Sequence, residues 1–220
     1  MTSVVDIFDE VDEDLRADRA KLLLNRYGPL LVAVAVLVVA LAGGWRAWQW
    51  YDAKQNAAVA ERFLAAMKVA DEKQAAARTA AIADFSAIAG SAHSGYRTLS
   101  RLRAAGLKAD AGDLPGAAAL WDEVAADGSA DPLLRDLANL QWAMHEIDSA
   151  DPATVEARLQ PLIIATNPWH ALASETMAML DLRRGRVDAA RDTLKELAQD
   201  ISAPEGVRRR AEGVLGRLGS

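Results

Sequence analysis

The sequence predicts an all-α protein: one transmembrane helix near the N-terminus, then an α-solenoid of antiparallel helix pairs. Three observations carry that prediction. Residues 27–45 hold no charged side chain. Elsewhere Ala, Leu, Glu and Arg dominate, and these lose little freedom on entering a helix. Apolar residues recur at helical spacing almost to the end of the chain, broken at short intervals by Gly and Pro.

Three segments are expected: an acidic tail at 1–26, the transmembrane helix at 27–48 and a helical domain at 49–220. In the tail, Val4, Phe8, Val11 and Leu15 recur at helical spacing. Asp6, Asp9, Glu10, Asp12, Glu13, Asp14 and Asp18 stand among them. A solvated acidic helix and a helix that docks in a partner's groove both fit this pattern. Adsorption to an anionic membrane does not, because such helices carry a basic polar face.

The span reads YGPLLVAVAVLVVALAGGW, 19 residues closed by Arg26 and Arg46. At the usual helical rise that covers about 28 Å, close to a bilayer's hydrocarbon thickness. Pro29 suits the entry turn, where its missing N–H is not needed. Trp45, Trp48, Trp50 and Tyr51 form an aromatic belt for the membrane–water interface, and Arg46 can snorkel from the same level. Gly43 and Gly44 allow close contact with another membrane helix. A buried core helix would rarely lack charge over this span and then carry three Trp in six residues. A cleaved signal peptide would want a short basic lead, and the lead here is long and acidic. Arg16, Arg19, Lys21 and Arg26 precede the span, whereas Arg46 and Lys54 follow it. The excess of basic residues places the N-terminus in the cytoplasm and the large domain outside it.

The net charge of −6 argues against nucleic acid as a partner. The absence of Cys removes disulfides, thiolate catalysis, Cys-type zinc sites and N-terminal lipoprotein modification. It does not assign a compartment.

In the large domain, Val59, Phe63, Met67 and Ala70 form one apolar stripe, and Ala81, Phe85 and Ile88 another. Breaks are expected at Gly90–Ser91, Gly112–Asp113, Gly128–Ser129, Asp151–Pro152, Asn167–Pro168, Gly185 and Ala203–Pro204. Asp131–Pro132, Asp151–Pro152 and Asn167–Pro168 each place a capping side chain before a first-turn Pro. Helices of roughly 12 to 18 residues joined by short loops pack as antiparallel neighbours.

The clearest internal repeats lie near 94–127 and 168–200. At an offset of 73 residues, Gly112 matches Gly185, Ala117 matches Ala190 and Trp121 matches Leu194. Val124 matches Leu197, Ala125 matches Ala198 and Asp127 matches Asp200. The offset is twice a unit of about 34–37 residues, so a worn copy belongs between, around Val155, Leu159 and Leu162. The spacing has a physical basis. Gly ends the first helix in a left-handed cap, a small Ala lets the second helix approach, and a large apolar residue fills the space behind. The pattern resembles the tetratricopeptide repeat.

The order of features carries a wider resemblance. Arg26–Tyr27, Gly44–Trp45–Arg46–Ala47–Trp48, Gly95–Tyr96–Arg97–Thr98–Leu99 and the two Gly/Ala pairs are its pieces. On these the chain resembles the ancillary subunit of the bacterial Sec translocon, a membrane-anchored tetratricopeptide repeat-like protein. The resemblance implies a single-pass protein of the bacterial inner membrane with a periplasmic repeat domain. It also implies association with the Sec translocon and a periplasmic chaperone, in aid of newly exported client proteins. A repeat scaffold for another envelope or cell-division assembly fits the same sequence.

No P-loop, dinucleotide fingerprint or nucleophile elbow is present. His93, His145 and His170 lack metal-ligand spacing, and the adjacent Glu146 points away from His145 on a helix. The expectation is a protein-binding scaffold, not an enzyme, with no cofactor and no metal. Trp121, Trp142 and Trp169 suit core packing between helices. Alternatively one or two grip a partner, with Trp142 foremost because it lies outside both Gly/Ala motifs, and Trp121 next. Arg208, Arg209 and Arg210 read as a solvated face near a helix C-terminus.

Overall fold

The computed structural model describes residues 5–72 and 74–219, with side chains from Leu30 onward except those of Leu31, Ala35, Asp52, Gln55 and Ser94. The tail stripe Val4, Phe8, Val11 and Leu15 lies outside the described side chains. Nine helices and no strand occur among the described residues. They are α1 (Val5–Ala70), α2 (Ala75–Ser91), α3 (Ser94–Asp110), α4 (Leu114–Ala126), α5 (Pro132–Glu146), α6 (Pro152–Leu159), α7 (His170–Arg183), α8 (Val187–Gln199) and α9 (Glu205–Leu218). The chain divides into two compact units, the first ending at Ala57 and the second beginning at Ala58.

The first unit is helical throughout its described length. Helix α1 passes the expected boundaries at 26 and 48 without a break. Pro29 therefore lies inside the helix, not at its entry turn, and removes one backbone hydrogen bond there. Strong helix formers between Glu13 and Arg26 carry the helix across that point. Along the apolar run the described large side chains are exposed. Val34 is 50% exposed and Val39 is 70% exposed, the extremes of the run.

The second unit is a row of helix pairs. Residues 58–70 of α1 pack on α2 through Phe63, whose ring lies 5.3 Å from that of Phe85 and 5.6 Å from that of Tyr96. Ala66, Ala81, Ile88, Ala104 and Leu107 complete this first core. The break between α1 and α2 carries no Gly or Pro. It falls where Asp71 and Glu72 end one apolar stripe, before Ala81 begins the next. The central core joins α3 to α7 around Trp121, Leu140, Val155, Leu159, Leu162 and Leu180, each 1% exposed or less. The third joins α7, α8 and α9 through Ala178, Ala190, Leu194, Leu197, Val207 and Ala211. Each large side chain so buried contributes about 1.5–3 kcal/mol.

The repeat predicted at a 73-residue offset is present in the backbone. Gly112 has φ +85° and Gly185 has φ +73°. Gly112 N–H donates to Ala109 and Asp113 N–H to Lys108; Gly185 N–H donates to Leu182 and Arg186 N–H to Asp181. These paired bonds are a Schellman cap in both places. Ala117 and Ala190 are fully buried where the second helix of each pair crosses the first. Ala105, Ala143 and Ala178 are equally buried on three successive first helices, α3, α5 and α7. The middle pair, α5 and α6, is the worn copy: it has no Gly cap, and Val155, Leu159 and Leu162 supply its core.

Two caps form as expected. Asp131 accepts from Leu133 N–H at 2.8 Å and Asp151 from Thr154 N–H at 3.3 Å. The third differs. Asn167 accepts from Trp169 N–H at 2.9 Å, but α7 starts later, at His170. Helix α6 is also shorter than expected, eight residues, and a ten-residue connection follows it. Pro161 and Pro168 explain both, since each disfavours helix in the residue before it. The connection is pinned: Asn167 Nδ2 donates to Asp136 at 2.9 Å, and Trp169 Nε1 to the Leu133 carbonyl at 3.0 Å.

Candidate protein-binding site

The first helices of the pairs lie side by side, α3 against α5, α5 against α7 and α7 against α9. This is the consequence of the small residues at Ala105, Ala143 and Ala178, which let the helix row close up. Between α5, α7 and α9 the row leaves a groove of about 400 Å³. Met144, Ile147, Leu172 and Met179 give it an apolar floor, and Thr176, Glu175 and Arg210 line the rest. Met144 is 42% exposed. Flexible thioether side chains of this kind adapt to varied apolar partners. Arg210 grips Glu175 through two bonds of 2.6 Å, one from Nε and one from a terminal nitrogen. That parallel fork fixes the polar edge of the groove and holds the Arg210 guanidinium firmly charged, with its pKa raised by the bond to Glu175.

The tryptophans singled out from the sequence lie elsewhere. Trp121 is 1% exposed, with its ring 4.8 Å from that of His145. Trp142 is 8% exposed, and the Arg158 guanidinium covers its ring at 3.8 Å. Arg158 in turn pairs with Asp122 at 2.7 Å. Both tryptophans belong to the central core. Gly43 and Gly44 lie on α1, and a Cβ at either would meet no atom within 4 Å. Trp45, Trp48, Trp50 and Tyr51 are exposed, with the first two rings 5.6 Å apart and Lys54 over Trp50 at 5.4 Å. Arg46 is exposed beside them.

The α3–α4 and α7–α8 repeats carry matching polar corners. Asp127 accepts from Ser129 N–H at 2.9 Å and from its hydroxyl at 2.6 Å. Asp200 does the same with Ser202 at 2.8 Å and 2.6 Å. In each case the serine hydroxyl bond is the main reason the carboxyl sits below the ordinary aspartate range. Among the histidines, His145 Nδ1 lies 2.9 Å from the Gln141 carbonyl and His170 Nδ1 lies 2.7 Å from the Ile163 carbonyl. His93 precedes α3 without capping it through its side chain. Among the described residues no three His, Cys, Asp or Glu side chains are grouped to hold a metal ion.

Sequence reading missed the methionine groove and the Glu175–Arg210 fork. Met144 and Met179 are 35 residues apart, one repeat unit, so the inferred period held a signal for them. Glu175 and Arg210, which form the fork between α7 and α9, are also 35 residues apart and carried the same signal.

Stacked helical hairpins with small residues at each crossing and glycine caps between partners define an α-solenoid of protein-binding repeats. The chain belongs to the tetratricopeptide repeat-like domain family, whose model matches residues 21–143, more than half of its length. That match starts before the apolar run and ends at the close of α5. No curated protein and no solved structure matches the chain.

Proposed function

We propose that this protein is a membrane-tethered scaffold that binds other proteins, acting as an accessory subunit of the Sec translocon. In this reading it works with a periplasmic chaperone on newly exported chains. The carrying observation is the apolar run of α1, whose described side chains are half exposed or more, ending in the exposed Trp45, Trp48, Trp50 and Tyr51. Left in water, each uncovered Val or Leu forgoes about 1.5–3 kcal/mol. A bilayer covers them all, and the tryptophans then meet its headgroups. The run offers one span: among the described residues a single helix is long and apolar enough to cross a membrane. The basic residues before it favour a cytoplasmic N-terminus and a periplasmic repeat domain. The bare backbone at Gly43 and Gly44 suits contact with a helix of the translocon channel. The resemblance drawn from Gly44–Trp45–Arg46–Ala47–Trp48 and the repeats supports the choice of partner.

Photocrosslinking residues placed at Gly43 and at Met144 test it. The expected adducts are the translocon channel from position 43, and exported chains or their chaperone from position 144. Adducts drawn only from cell-division or other envelope assemblies would overturn the translocon role and leave the scaffold.

A further inference from the structure

The 73-residue repeat makes the molecule its own comparison. Arg97, Arg101, Leu120, Glu123, Val124, Asp127 and Ser129 of the first corner correspond to His170, Ser174, Thr193, Glu196, Leu197, Asp200 and Ser202 of the last. In the first corner Arg101 is three-quarters buried and holds two acids together. Its Nε lies 3.1 Å from Glu123 Oε2, and a terminal nitrogen lies 3.4 Å from Asp127 Oδ2. Asp127 spends its other oxygen on Ser129.

The last corner keeps both acids, has His170 beside Asp200 where Arg97 stands beside Asp127, and loses the bridging arginine. Ser174 stands in place of Arg101, and His170 in place of Arg97. A cavity of about 270 Å³ opens there, lined by His170, Ser174, Thr193, Glu196, Leu197 and Asp200. Asp200 Oδ1 is taken by Ser202, as in the first corner, but no Arg or Lys reaches either Asp200 or Glu196 among the described residues. Ser174 is 6% exposed, and its hydroxyl makes no hydrogen bond among the described residues. An unpartnered, nearly buried hydroxyl and two carboxylates thus face space that an arginine fills one repeat pair earlier.

We propose that this cavity takes an arginine side chain of a bound protein, its guanidinium bridging Glu196 and Asp200 as Arg101 bridges Glu123 and Asp127. A guanidinium suits it better than an ammonium, because its planar fork presents several donors in fixed directions. Glu196 and the second oxygen of Asp200 supply the anionic acceptors. The Ser174 and Thr193 hydroxyls can accept further N–H groups. Leu197 packs beside the stem. The inference rests on the protein-binding reading of the repeat domain and is independent of the translocon.

The test uses the full chain in detergent micelles, with amide shifts of residues 170–202 followed by NMR. The probes are N-acetyl-Ala-Arg-Ala-amide and its citrulline counterpart, which keeps the shape and loses the charge. Saturable shifts are expected with the arginine peptide, about tenfold weaker with citrulline, as befits the loss of a charge-assisted bond worth about 1.4 kcal/mol. Glu196→Gln, an exposed change, should weaken arginine binding about fivefold to tenfold. Ser174→Arg should fill the cavity from within and abolish binding, whereas Ser174→Ala should retain it. Equal response to both peptides would overturn the proposal. So would wild-type affinity in Glu196→Gln, or shifts produced by calcium chloride but not by the peptide, which would make this a cation site. Peptide binding in a protein that gives no translocon adducts would keep the pocket and remove the translocon. Adducts without peptide binding would do the reverse.

Discussion

At the scale of single residues, identity matters most where backbone geometry or close approach leaves one solution. Gly112 and Gly185 show this. Each adopts a left-handed conformation, yet a Cβ at either would meet nothing within 4 Å. The constraint is therefore conformational and not steric crowding. Gly112→Ala and Gly185→Ala should each destabilise the domain by about 1–2 kcal/mol. Gly106 lies inside α3, also with open space at its Cβ. Gly106→Ala should act in the opposite sense, stabilising by about 0.5–1 kcal/mol. Urea denaturation of the three variants checks the sign at each site. These glycines were legible in the sequence because the cap places its glycine at a fixed distance from the following Ala. The fate of Trp142 was not. Its burial depends on Arg158 from another helix, and no local pattern reports a side chain arriving from 16 residues away.

At the scale of elements, most boundaries were readable because Gly, Pro and capping Asp mark them. Asp131 and Asp151 cap as their Asp–Pro sequences require. Near the prolines at 161 and 168 the sequence reading placed a break only at Asn167–Pro168, and showed neither the earlier stop of α6 nor how far the next start is delayed. That distance is set by Asn167, Trp169 and His170, which bond back to Asp136, Leu133 and Ile163. The α1–α2 break was marked in the sequence only by the change of apolar stripe between Ala70 and Ala81, with no breaking residue to place it. Helix α9 offers the sharpest test of element autonomy. Val207 and Ala211 cover the α7–α8 pair but touch neither of the other two cores. A chain ending at Ala203 should lose amide protection in α7 and α8 while α3 and α4 keep theirs, as repeat architectures fray from their ends. Hydrogen exchange followed segment by segment would show it, and uniform loss of protection would contradict a solenoid.

At the scale of the whole molecule, the sequence conveyed the class of fold well and the binding surface poorly. Periodicity and composition report what faces inward, which is why the three cores match the predicted stripes at Phe63, Phe85, Trp121 and Leu194. A groove is made by residues that several helices leave uncovered together, and that is settled only when the helices stack. The apolar run of α1 is the exception, since its described large apolar side chains are all half exposed or more. The proposed cytoplasmic N-terminus predicts that an alkaline phosphatase fused after Ser220 is active, because that reporter works only after export. An inactive fusion produced at normal levels would reverse the orientation.

The matching Asp–Ser turns after α4 and α8 also make these two repeats interchangeable parts. Each finishes on the same hydrogen bonds, Asp127 with Ser129 in one and Asp200 with Ser202 in the other. A segment cut between such junctions can be transplanted with its neighbours' geometry intact. Exchange of residues 97–130 for 170–203 would move the arginine-filled corner to the far end of the domain and the open one to the middle. The chain thus carries, in a single molecule, a closed and an unlatched version of one module.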